Sequence, residues 1–183
     1  MQSALEFAED SVRIMGSPIP EEDFVDKRQL IAAICKKLES DLEGLKAAAR
    51  AAYDAATNEE SKPENEYDTR GLEASYLAGA QAKRVAEIEQ QVAVYKHVEV
   101  KDYTAQDKIG ATALVEVEFD GRRSHVLVMG QGGGLTFHFE NQAIQVVTPS
   151  SPLGEALLGL KVGDVAIVDV ADDELEYEIV GVQ

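Results

Sequence analysis

The chain has 183 residues, one cysteine, no tryptophan and a formal net charge of -17, which suits one or two small domains. A lone cysteine excludes an intrachain disulfide framework, and His97, His125 and His138 are too scattered for a zinc site. So acidic a chain is repelled by a bare phosphate backbone, so no strong direct DNA binding is expected. No apolar run approaches the roughly 20 residues of a membrane helix, and the acidic start lacks the secretory pattern, so no membrane partner and a cytoplasmic location are expected.

Residues 1–25 carry Gly16, Pro18 and Pro20 and end in Glu21-Glu22-Asp23, which predicts a mobile acidic extension. From Asp26 the pattern changes to apolar residues three and four apart: Ile31, Ile34, Leu38, Leu42, Leu45, Ala49, Ala52 and Ala56. That spacing predicts one helix with a coiled-coil seam. A second seam runs through Ala74, Ala78, Gln81, Val85, Ile88, Val92 and Tyr95, so residues 26–100 form an antiparallel α-helical hairpin. Each helix of about 32 residues is roughly 48 Å long, and the shrinking seam residues keep its far end slender. A rod of this kind serves as a probe or as a dimerisation surface. Cys35 falls beside the first seam, as a packed thiol would.

Between the helices, Pro63 forbids a continuous helix and makes the chain turn close to Lys62. Glu59, Glu60, Glu64, Glu66 and Asp68 crown this acidic tip near residues 58–68, and their mutual repulsion calls for solvent, salt or a cation. Glu64, Glu66 and Asp68 also suit the start of the second helix, where they complement its dipole. Glu59 and Glu60 stand at the wrong end of the first helix for that role. Arg50 and Arg70 flank the tip, where they can meet an anion or pair with Asp54 and with Glu66 or Glu73. Lys83 and Arg84 have the same choice.

Residues 107–183 change to short alternating runs. Ala111–Phe119 and Ser124–Met129 read as strands joined by an Asp120-Gly121 turn, and Phe137 and Phe139 mark the buried face of another. The Gly130–Gly134 loop lacks the Gly-Lys-Ser/Thr ending of a phosphate loop. Ser151-Pro152 opens a short helix, Gly159 ends it in a left-handed conformation, and Val162–Val168 is a turn feeding a β-branched strand. Glu174–Val182 supplies the last strand. The fold class is α+β: a long helical hairpin followed by a small sheet domain with one helix.

The stretch Ser151-Pro152-Leu153-Gly154-Glu155-Ala156-Leu157-Leu158-Gly159, running into Leu160-Lys161-Val162-Gly163-Asp164, closely resembles the signature of the C-terminal domain of the bacterial transcript cleavage and elongation factors GreA and GreB. The resemblance covers roughly residues 108–183 and implies an FKBP-like fold for that domain, with Ser151, Pro152, Leu153 and Gly154 docking on RNA polymerase at the rim of its secondary channel. It further implies that the hairpin enters that channel, where tip acids in a pattern of the form Asp-x-x-Glu-Asn, then Glu-Tyr, help hold the second catalytic magnesium. Here Glu64-Asn65 and Glu66-Tyr67 resemble the later part, with one residue fewer between them. Glu60 takes the place of the aspartate, four residues before Glu64 rather than three, with Pro63 in the extra position.

On that resemblance Glu60 and Glu64 are the metal-binding candidates, with Glu59, Glu66 and Asp68 secondary, and Arg50 and Arg70 touch the extruded RNA 3′ end. The magnesium would be shared with the polymerase active site and not held stably by this chain alone. Two-metal phosphodiester hydrolysis needs oxygen-rich coordination of ions about 3.5–4 Å apart, so a carboxylate supplied from outside raises the occupancy of a weak site. Three functional readings follow: a factor that stimulates the polymerase's own RNA cleavage, a factor that occupies the channel and modulates or inhibits without cleavage, and an FKBP-type prolyl isomerase. The scarcity of aromatic residues weighs against the third, whose pocket is built from them.

Overall fold

The computed structural model describes residues 25–57, 70–170 and 173–183. The expectations for residues 1–24 and for the tip acids Glu59, Glu60, Glu64, Glu66 and Asp68 lie outside the described residues, as does the Arg70 side chain.

Helix α1 spans Lys27–Thr57 and α2 spans Arg70–His97. The abrupt start of α1 has a local cause: the Asp26 carboxylate accepts hydrogen bonds from the backbone amides of Arg28 and Gln29, both at 3.0 Å. The Gln29 amide, ahead of the other contacts, holds that carboxyl below its usual range. Every seam position named above is buried or half-buried, and the neighbours that face solvent are polar or alanine for most of the length. Lys46–Glu89, at 3.1 Å, and Lys96–Glu39 tie the two helices across their exposed flanks. Such pairs contribute little beside the seam itself.

Six strands follow: β1 Leu114–Phe119, β2 Arg122–Val128, β3 Thr136–Phe139, β4 Gln142–Val147, β5 Val165–Val170 and β6 Asp173–Val182, with a short helix α3 at Pro152–Leu157 before β5. They form one sheet in the order β3-β4-β2-β1-β6-β5, antiparallel except for the β2–β4 pair. Asp120 and Gly121 both have positive φ, 49° and 70°, the twist that a two-residue hairpin between right-twisted strands demands. Glu140 and Asn141 repeat this between β3 and β4, at 48° and 66°, without a glycine to announce it. β1 starts three residues later than the pattern suggests: Thr112 is buried at φ 66°, and its amide bonds the Val128 carbonyl as part of a turn.

Strand alternation divides the sheet's apolar residues between two cores. Leu114, Leu127, Ile144 and Val146 face the hairpin base, where they join Leu30, Ile31, Ile34, Leu38, Ile88, Val92 and Tyr95 in one cluster. Val115, Val117, Val126, Val128 and Ile179 face the other way and pack with Leu157 of α3. Val25 is 1% exposed and belongs to the first cluster. It therefore corrects the reading of residue 25 as the end of a mobile extension: the apolar side chain is drawn under the first turn of α1.

The connection from α2 to β1 is fastened by polar contacts that the pattern did not announce. Lys27, 6% exposed, donates from Nζ to the Lys101 carbonyl and sits 5.0 Å from the Tyr103 ring centroid. Lys101 N–H donates to Thr112 Oγ1 at 3.0 Å, the Tyr103 hydroxyl to the Ala111 carbonyl at 2.8 Å, and Arg28 pairs with Asp102 at 3.2 Å. Desolvation pulls the Lys27 ammonium down to about 8, against the opposing attraction of Asp102.

α3 is capped as expected. Ser151 Oγ accepts from Gly154 N at 3.2 Å and donates to the Thr148 carbonyl at 2.7 Å, and Gly159 adopts φ 82°. A Cβ on Gly154 would lie 2.0 Å from the Thr148 carbonyl oxygen, so this glycine is required by close backbone approach.

Two predictions follow from these contacts. Between about pH 8 and the ordinary lysine value near 10.4, the unfolded chain keeps the Lys27 proton and the folded chain releases it. Stability relative to Lys27→Met therefore rises with pH in that window. Denaturant unfolding of both proteins from pH 7.5 to pH 10, taken as about the range before phenols ionise, reads it. Gly154→Ala is expected to lose about 1–3 kcal/mol through overpacking, whereas Pro152→Ala on the exposed first turn stays within about 0.5 kcal/mol, both by urea denaturation.

Candidate functional site

The outer half of the hairpin is the part free to act. No residue between Leu45 and Val85 joins the cluster shared with the sheet, so among the described residues this part of the rod packs against its own partner helix. Its seam is made of Ala49, Ala52, Ala56, Ala74, Ala78 and Gln81, all half-buried. Alanine lets two helices approach closely and gives the end a narrow cross-section. α1 alone, with 31 residues, is about 46 Å long at 1.5 Å per residue, and the five candidate carboxylates follow it in the sequence.

Arg50 is exposed on this outer half, and no ion pair joins it to Asp54. The i, i+4 pair expected from spacing is therefore not made, and the guanidinium points to solvent. Arg84 pairs with Glu87 at 3.3 Å instead. Glu73 stands in the first turn of α2, where its charge complements the helix dipole. The structure thus places Arg50 on the rod's approach to the tip, but its relation to Arg70 and to the acids falls outside the described residues.

The segment Ser151–Gly154 divides between structure and surface. Ser151 is engaged as the helix cap and Gly154 is buried against the Thr148 carbonyl, so both are spoken for by the fold. Pro152 is exposed and Leu153 half-exposed. They are the two members of the set with side-chain surface to offer a partner. Pro152 also lines a shallow cavity of about 330 Å³ with Glu155, Ile167 and Asp169.

Surface features beyond the sequence reading are also present. Tyr53, Leu72, Tyr76 and Leu77 are large apolar side chains exposed on the outer rod, and Val165 and Ile167 are exposed on β5. The signal for the first group was available: none of the four falls on a seam position. The signal for the second was not, because a β-branched run reads as a buried strand unless its place at the sheet edge is known.

Among the described residues no group of three metal-ligating side chains occurs, and none of the helices is long and apolar enough to cross a membrane. The Cys35 thiol is buried in the hairpin seam, and desolvation pushes its ionisation up. It is packing, not a nucleophile.

Comparison with known proteins bears on the C-terminal half first. Residues 138–183 match the family model for the C-terminal domain of the transcription elongation factors GreA/GreB. The transcription elongation factor GreA of Xylella fastidiosa (strain 9a5c) is 27% identical over 156 residues, covering 81% of this chain and 92% of its own. Solved structures include GreA factor homolog 1 (Gfh1) of Thermus thermophilus, 20% identical over 81% of this chain and 94% of that one with a TM-score of 0.33. Gfh1 of Thermus aquaticus is 26% identical over 81% and 92%, with a TM-score of 0.34. With a β domain that matches this family model carried behind a long helical hairpin, the chain is similar to the GreA/GreB elongation factors over most of its length.

Proposed function

We propose that this chain is a secondary-channel factor of RNA polymerase, which inserts its hairpin tip beside the active site and stimulates the polymerase's own cleavage of backtracked RNA. The observation that carries the reading is the rod itself: about 46 Å of two-helix hairpin, slender at its outer half and anchored to the GreA/GreB-type domain only at its base. A reach of that length with an alanine seam fits a narrow passage, and it ends in Glu59, Glu60, Glu64, Glu66 and Asp68.

Those carboxylates are hard oxygen donors, the class that magnesium prefers. Magnesium held between them and the polymerase would supply the charge neutralisation that two-metal hydrolysis requires. This chain's own residues do the rest: the seam carries the rod out to Thr57 from its seat on the domain, the latch around Lys27 sets the direction, and Arg50 offers a cation on the outer half. Pro152 and Leu153 present the docking surface at the rim.

A second reading is favoured by the tip spacing. Glu60 and Glu64 lie four apart with Pro63 between them, which changes how the two side chains converge relative to a three-residue spacing. On that reading the rod occupies the channel and modulates the polymerase without promoting cleavage.

Adding the purified chain to a backtracked polymerase complex separates the two. Release of short 3′ RNA fragments, reduced by at least about a hundredfold (about 2.7 kcal/mol) in Glu60→Ala/Glu64→Ala with binding retained, is the expected outcome. Binding without fragments from the unaltered chain selects the modulating reading, and loss of neither activity nor binding in the double variant removes these two acids from the mechanism.

A further inference from the structure

The β5 edge of the sheet is open. β5 is the last strand in the order β3-β4-β2-β1-β6-β5 and pairs with β6 alone over its whole length. Every second residue of such a strand turns its N–H and C=O away from its one neighbour, and among the described residues no hydrogen bond occupies that outer side. Unpaired edges invite a further strand unless something blunts them. β5 has no proline, no lysine and no bulge to do so.

The two faces of β5 differ. Ala166 and Val168 are buried on the α3 side. Val165 and Ile167 lie on the opposite face, 45% and 53% exposed and beyond the reach of the hairpin base, with Ile167 also bordering the shallow cavity that Pro152 and Glu155 line beside the strand edge. In register they stand opposite Glu178 and Glu176, and Asp169 stands opposite Glu174. Further in, Glu118 is directly opposite Glu178, a like-charge pairing that disfavours the sheet on its own. Arg123 relieves part of this by bonding Glu118 at 3.2 Å and Glu116 at 3.3 Å. No lysine or arginine among the described residues pairs with Glu174, Glu176 or Glu178.

An apolar pair on a free strand edge, bordered by unneutralised carboxylates, defines its occupant by exclusion and by complementarity. A second copy of this chain would set one row of acids against another, and a nucleic acid would meet the same repulsion. A basic extended segment gains backbone hydrogen bonds, covers the two apolar side chains and neutralises the row. We propose that the β5 edge receives an extended, lysine- or arginine-bearing segment of RNA polymerase, which adds to the sheet as a further strand. This rests on the polymerase reading above and gives that docking a second element beside Pro152 and Leu153.

Hydrogen–deuterium exchange of the full chain with and without core RNA polymerase tests it, together with binding at low and high salt. Protection of the backbone amides of residues 165–170 on complex formation is expected. Val165→Ser/Ile167→Ser and Glu174→Lys/Glu176→Lys, all at exposed positions, should each weaken binding on the order of tenfold, and the charge reversal should flatten its salt dependence. Binding by the parent chain that both variants retain, with no protection at β5, overturns this inference and leaves the polymerase reading standing. No binding by the parent chain overturns both.

Discussion

The structure depends on one apolar seal, where the base of the hairpin meets one face of the sheet. Leu30, Ile34, Leu38, Ile88, Val92 and Tyr95 close against Leu114, Leu127, Ile144 and Val146. A two-helix rod has no third element to hold it, and its outer half covers little beyond alanine side chains, so nothing there could fix its direction. Burial of a leucine or isoleucine stabilises by about 1.5–3 kcal/mol, and a cluster of this size joins rod and sheet into one body. The polar latch then narrows the angle, since Lys27 can satisfy its ammonium only if the Lys101 carbonyl and the Tyr103 ring are in place. Such a cation, buried at a cost, specifies an arrangement more than it strengthens it.

The same seal explains the division of labour along the chain. Strand alternation gives the sheet two apolar faces, and α3 and the hairpin base take one each. What they leave uncovered lies at the far edge, on β5 and β6, and at the far end of the rod. The sheet edge carries a row of carboxylates, Glu174, Glu176 and Glu178, beside its exposed apolar pair.

Much of this architecture was legible because it is periodic. Apolar residues at spacings of three and four located both seams to the residue, and the shift to alanine forecast the slender outer half. The Asp120-Gly121 turn and the Ser151-Pro152 cap were readable because each residue type has a local mechanism. The Glu140-Asn141 turn and the left-handed Thr112 were not, since ordinary residues take positive φ there under tertiary constraint. The linker of residues 101–112 was opaque for a related reason: its order comes from Lys27, Thr112 and Tyr103 meeting across the fold, and no run of neighbours encodes that. For the candidate site, the Ser151–Gly154 motif was visible, yet its chemistry is split, with Ser151 and Gly154 consumed by the helix cap. The tip acids stand in the sequence and outside the described residues, so the Glu60 and Glu64 roles are those that the family resemblance implies.

Strand order has a further consequence for how the molecule is made. β1 lies between β2 and β6, yet β6 is the last of the strands to be synthesised. The hairpin can zip up early from contacts between its own helices, while the sheet cannot close until β6 has left the ribosome. The rod's base is not what waits, since the sheet residues that cover it lie on β1, β2 and β4; it is the second core that faces water until Ile179 and Val182 arrive, the condition under which nascent chains stick to one another or to chaperones. Ribosome-bound chains of this protein therefore pass through a stage with a finished lever on a half-built handle.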